Sequence, residues 1–153
     1  MGLFWGTSVK DKDDELTDER QIVAHHEAGH MIACNRHNIP YTDVTVSVSR
    51  TYWTGQLRSS GHIHLPENAF YMYDRPILAV VALSGIAAEA MYYMEILGWR
   101  KSKAWQEAED YASIDLSNAD ACVGKRGMRE AERAAYGLIS SQWGSVLRLA
   151  KQL

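Results

Sequence analysis

Residues 24–33 read Ala24-His25-His26-Glu27-Ala28-Gly29-His30-Met31-Ile32-Ala33, and the five from His26 to His30 spell H-E-x-x-H. Two histidines at i and i+4 lie one turn apart on one helix face, so both imidazoles reach a single ion. Neutral imidazole nitrogen is a good zinc ligand. Glu27 follows the first histidine and projects beside the ion. There a carboxylate takes a proton from a metal-polarised water and later passes it to a leaving amine. Chance produces this spacing too, but the setting argues against chance. Ala24, Ala28, Gly29, Met31 and Ile32 are uncharged, and placing Glu27 and two histidines on a face otherwise suited to burial is costly without a partner. Gly29 inside a helix costs about 1 kcal/mol relative to alanine, which points to close packing there.

Working outward, Asp18 to Arg36 carries apolar residues at Ile22, Val23, Ala24, Ala28, Met31, Ile32 and Cys34, a helical period. Thr17 is its expected N-cap, Asp18 and Glu19 suit the positive end of the helix dipole, and Pro40 lies beyond the C-terminus. Asp43 to Ser49 alternates apolar and polar residues, the pattern of a strand with one buried face. Tyr52–Leu57 and Gly61–Leu65 are expected as two further strands around a Ser59-Ser60-Gly61 turn, with Pro66-Glu67-Asn68 ending the sheet. Three helices should follow: Arg75–Leu97 behind Pro76 and stopped by Gly98, Lys103–Val123 stopped by Gly124, and Arg129–Leu149. The expected fold is α+β and mostly helical: a zincin-like HExxH helix, a small antiparallel sheet and a helical C-terminal half. Residues 1–16 are expected as a flexible lead-in to one domain over 17–153.

Composition narrows the function. The chain has 153 residues, 46% hydrophobic and 23% charged, which allows a core without staples. A net charge of -3 and a pI near 6.0 argue against a general nucleic-acid binder. Cys34 and Cys122 form no C-x-x-C, so a reducing, cytoplasmic setting is expected. The N-terminus lacks the basic and apolar regions of a signal peptide, and position 6 carries no hydroxyl for myristoylation. The apolar stretch Ile77–Met94 contains Ser84, Gly85 and Glu89. Its clean part falls well short of the roughly twenty residues of a spanning helix, so a core helix is expected and no membrane span. Gly124-Lys125 is followed by Arg126 and lacks the earlier glycine of a P-loop. The five tryptophans and eight tyrosines are expected in the core and at contacts.

A catalytic zinc takes three protein ligands and leaves one position open. His37 lies two turns past His30, roughly 10 Å along the axis, and is out of reach. Glu89, in LSGIAAEAMYY, and Asp115, in YASIDLSNADA, are each an acid in a largely uncharged stretch. Spacing does not choose between them.

Several blocks, in order, resemble the peptidase domain of the FtsH-type ATP-dependent zinc metalloproteases. AHHEAGHMIA is similar to that family's zinc helix. DVTVSVS followed by GHIHLPE is similar to its strand pair, LSGIAAEA to its small-residue helix, SIDLSNADA to its aspartate-leucine block, and the tail from Ala131 to its last helix. The resemblance implies zinc held by His26, His30 and Asp115, with Glu27 as the catalytic residue. Glu89 then orients a ligand imidazole from outside the ligand set. It also implies that Gly61, His62, Ile63 and His64 form an edge strand on which a polypeptide substrate adds. Ile86, Ala90 and Ile114 stand where the family carries an arginine, a second glutamate and an asparagine. Neither the family's ATPase nor its membrane anchor is expected in this chain. The expected activity is an ATP-independent endopeptidase acting on short or unfolded chains, with a separate ATPase or self-assembly as partner. A catalytically silent zinc-stabilised binding or assembly module is the alternative. Retention of Glu27 favours the enzyme.

Overall fold

The computed structural model describes residues 12–153, with side chains from Asp18 onward. The first helix, α1 (Lys12–Arg36), starts five residues before the expected cap, so Thr17 lies inside it rather than at its mouth. The rest of the expected lead-in, residues 1–11, lies outside the described residues. The C-terminus of α1 closes as the sequence requires. Asn38 adopts φ 56, the left-handed conformation that asparagine tolerates better than most residues. That turn lets the Ile39 amide donate to the Cys34 carbonyl at 2.9 Å. Ile39 then buries itself against Cys34.

Strands β1 (Thr42–Arg50) and β2 (Leu57–His64) pair antiparallel, with Val46 opposite Gly61 and Arg50 opposite Leu57. The sheet has two strands, not three. The segment expected as a middle strand is the hairpin tip. Thr51 N–H donates to Gln56 O and Gly55 N–H to Thr51 O, both at 2.8 Å. Gly55 supplies the reversal at φ 67, a conformation costly for any residue with a Cβ. Ser59-Ser60-Gly61, expected as a turn, lies inside β2. The ladder with β1 runs from Leu57 to His64, so Ser59–Gly61 is drawn into the strand. Tyr52 and Trp53 stand out at the tip, 88% and 87% exposed.

A short helix, α2 (Ala69–Met72), leads into α3 (Arg75–Glu95), which has proline in its first turn and ends before Gly98 at φ 74. By length and composition α3 could cross a bilayer, but 78% of its most apolar window is buried inside the fold. It packs against α1 on one side and α5 on the other. A β-carbon at Gly29 would overlap the Ser84 carbonyl and Ala88, so the two helix backbones touch at that glycine. This is the close packing the sequence pointed to.

The C-terminal half is divided differently from expectation. α4 (Lys101–Asp110) and the first part of α5 (Ser113–Ser141) replace one helix, separated at Tyr111-Ala112; within α5 two helical pieces meet at a kink at Gly124 (φ 66), the residue at which the sequence stops a helix, and the second piece begins before the expected Arg129. α6 (Trp143–Gln152) breaks off at Gln142. No glycine or proline marks the division at Tyr111-Ala112 or at Gln142. Ile139 and Val146, both fully buried, draw α5 and α6 onto the core, each contributing about 1.5–3 kcal/mol of burial. The break before Ser113 leaves Asp115 in the first turn of α5. Arg20 donates to the carbonyls of Val46 at 3.1 Å and Leu153 at 2.6 Å, tying β1 and the C-terminal residue to α1.

Candidate metal centre

The helical register of α1 places the ring nitrogens of His26 and His30 and a carboxylate oxygen of Glu27 within 4.8 Å of one another, a group that can hold a metal ion. The floor beneath the rings is Gly85 of α3. A β-carbon there would overlap Nε2 of both histidines, so the crossing is open only because that residue is glycine.

Each ring is held from behind. His30 Nδ1 lies 2.8 Å from the Val81 carbonyl. A carbonyl only accepts, so Nδ1 carries the hydrogen and neutral His30 has its lone pair on Nε2. His26 Nδ1 donates in the same way to Glu89 Oε2 at 2.8 Å, and Tyr93 donates its hydroxyl to Glu89 Oε1 at 2.9 Å. Both Nε2 atoms then face one oxygen: Asp115 Oδ2 is 2.7 Å from His26 Nε2 and 3.2 Å from His30 Nε2. Glu89 sits behind His26 and Asp115 in front, so geometry separates the two acids that spacing left equal.

Two imidazole lone pairs and a carboxylate oxygen at these distances repel unless positive charge lies among them. Protons supply it when no ion is bound. Burial pulls His26 down, but its hydrogen bonds to Asp115 and Glu89, and their charges, outweigh that and lift it to about 10. His30 is also raised: burial opposes the shift, and the Asp115 charge and hydrogen bond overcome it. For Asp115 burial acts upward, but the two histidines hold the carboxyl well below the usual range. A divalent cation would meet the same requirement without the protons.

Glu27 lies beside this group, 4% exposed, and its Oε2 has no hydrogen-bond partner although buried. An unpaired buried carboxylate oxygen is costly; a water or substrate proton would satisfy it. Burial raises the Glu27 pKa, against the lowering effect of His30 and His26. Gly61 of β2 is its wall, since a β-carbon there would overlap the Glu27 carboxylate.

The centre opens into a cavity of about 1520 Å³ between α1, β2, α3 and the start of α5. Gly61, His62 and Ile63 line it, and His64 lies outside its wall. His37, at the end of α1, takes no part in the cluster. Sequence reasoning missed Gly85, the Val81 carbonyl and Tyr93. Tyr93 was within reach, since it is four residues past Glu89 and therefore on the same helix face. A carbonyl leaves no trace in side-chain identity. No protein-family model matches the chain, and no curated protein matches it in sequence.

Proposed function

We propose that this chain is a zinc-dependent metalloendopeptidase acting on unfolded or short polypeptides. The observation that carries the reading is the convergence of His26 Nε2, His30 Nε2 and Asp115 Oδ2 beside a buried carboxylate with an unpaired oxygen, Glu27. The resemblance to the FtsH-type peptidase domain supports it. His26, His30 and Asp115 would hold the ion. Zinc bound there supplies Lewis acidity to a scissile carbonyl and to the attacking water.

The chain's own groups perform the rest. Glu89 and the Val81 carbonyl fix the tautomers of His26 and His30, so that both Nε2 lone pairs point into the cleft. Glu27 accepts the proton of the attacking water at Oε2. Its raised pKa brings it nearer neutrality, where a group both takes and returns a proton efficiently. It then protonates the departing amine. Gly61 lets the backbone of β2 approach Glu27, and an extended substrate pairing with that strand passes the carboxylate.

One observation favours a second reading. Glu27 belongs to the same 4.8 Å group as the two histidines. Were it a fourth ligand beside Asp115, the site would be closed and structural, a silent zinc-stabilised module. Cleavage of casein by zinc-loaded wild type and Glu27→Gln, with metal content measured on both, separates the two. The peptidase reading expects cutting by wild type, and a variant that keeps zinc and does not cut. If neither protein cuts and the variant also loses zinc, Glu27 is a ligand and the silent module stands.

A further inference from the structure

We infer that His62 and His64 form a second, exposed site for a divalent transition-metal ion, separate from the His26–His30 centre. Residues at i and i+2 of a strand share a face. In β2 this brings His62 Nε2 to 2.8 Å from His64 Nδ1, with ring centroids 4.6 Å apart. On the other face of β2 a β-carbon at Gly61 would meet Glu27, and Ser59 donates to Glu19 of α1. Both histidine rings are exposed; His62 also reaches the rim of the cavity, and His64 lies outside its wall.

At that distance a neutral pair shares one hydrogen, donated by one ring to the lone pair of the other. Replacing that hydrogen with an ion gives two nitrogen ligands from one rigid segment. Ile63, between the histidines, packs into the smaller apolar cluster with Ile39 and Leu78, which fixes the strand. Both rings are exposed and can open by the few tenths of an ångström an ion requires. The residues opposite them on β1 are Thr45 and Thr42, so the rest of the coordination shell is water. Two imidazoles and water suit copper(II), nickel(II) or zinc rather than magnesium or calcium, and copper(II) should bind more tightly than zinc.

Zinc stoichiometry, by equilibrium dialysis of the full chain, tests this without reference to catalysis. Wild type, the His62→Ala/His64→Ala double variant and His37→Ala are compared at rising free zinc. The double variant should take up one equivalent fewer than wild type, and His37→Ala should match wild type. Equal uptake by wild type and the double variant overturns the site, as does loss of the equivalent in His37→Ala instead. Should the double variant not fold, the single variants His62→Gln and His64→Gln decide by the same dialysis, each taking up one equivalent fewer than wild type. Full uptake by both single variants overturns the site.

Discussion

Tyr93 holds Glu89 from the side away from the metal centre: its hydroxyl donates to Oε1 at 2.9 Å, while Oε2 accepts from His26 at 2.8 Å. Trp99 stacks on the tyrosine ring at 4.5 Å and fixes the donor in turn. Glu89 is thus anchored at both oxygens. Tyr93→Phe keeps the ring and its stacking but leaves Oε1 buried without that donor, at a cost of about 1–3 kcal/mol. Zinc affinity, measured by chelator competition, should fall roughly 10-fold or more. Unchanged affinity would mean that Glu89 holds His26 without help.

The front and back positions of the two acids predict different losses. Asp115→Asn should abolish stoichiometric zinc binding. Glu89→Gln should retain zinc at an affinity lowered about 10–100-fold. Metal analysis after gel filtration reads both variants, and the opposite ranking would exchange the proposed roles.

Gly29→Ala should destabilise the fold although alanine is the better helix former. Its β-carbon meets the Ser84 carbonyl and Ala88, and overpacking of this kind costs about 1–3 kcal/mol. Denaturant unfolding of the metal-free protein checks the sign. A gain in stability would show that α1 and α3 can separate cheaply.

Without metal, the protons in the centre make stability depend on pH. The folded His26 is raised from 6.5 to about 10, so its contribution is fully present below pH 6.5 and is lost as pH rises through 10. Asp115 is depressed from 3.8, so its contribution is present above that value and is lost in strong acid. The melting temperature of the metal-free protein should therefore decline from pH 6.5 towards 10, and decline less in Asp115→Asn. A divalent ion bound there would displace the same protons, so its affinity should climb over that range. Equal slopes for wild type and variant would argue against the coupled cluster.

Local signals made the H-E-x-x-H helix and the core helix legible. H-E-x-x-H lies on α1, and α3 carries Pro76 in its first turn and stops before Gly98, because each is dictated by spacing and by residues with fixed backbone preferences. The hairpin was misdivided because Tyr52-Trp53 has strand-like composition, while the turn depends on Gly55. The division at Tyr111-Ala112 carries no local mark, and it places Asp115. Which acid faces Nε2 is a property of how α3 and α5 pack on α1, a relation between elements that no single stretch encodes.

The pairing of Val46 with Gly61 has a practical consequence for engineering. A strand slipped by one position would present Ser60 or His62, each with a β-carbon, to the Glu27 carboxylate. The alignment of the two strands is therefore as much a determinant of the centre as the residues named in it. The tip between Thr51 and Gln56 is under no such constraint, since Tyr52 and Trp53 touch little of the fold. A reporter or affinity peptide grafted there can vary in length at small entropic cost, provided both strands still meet at Arg50 and Leu57.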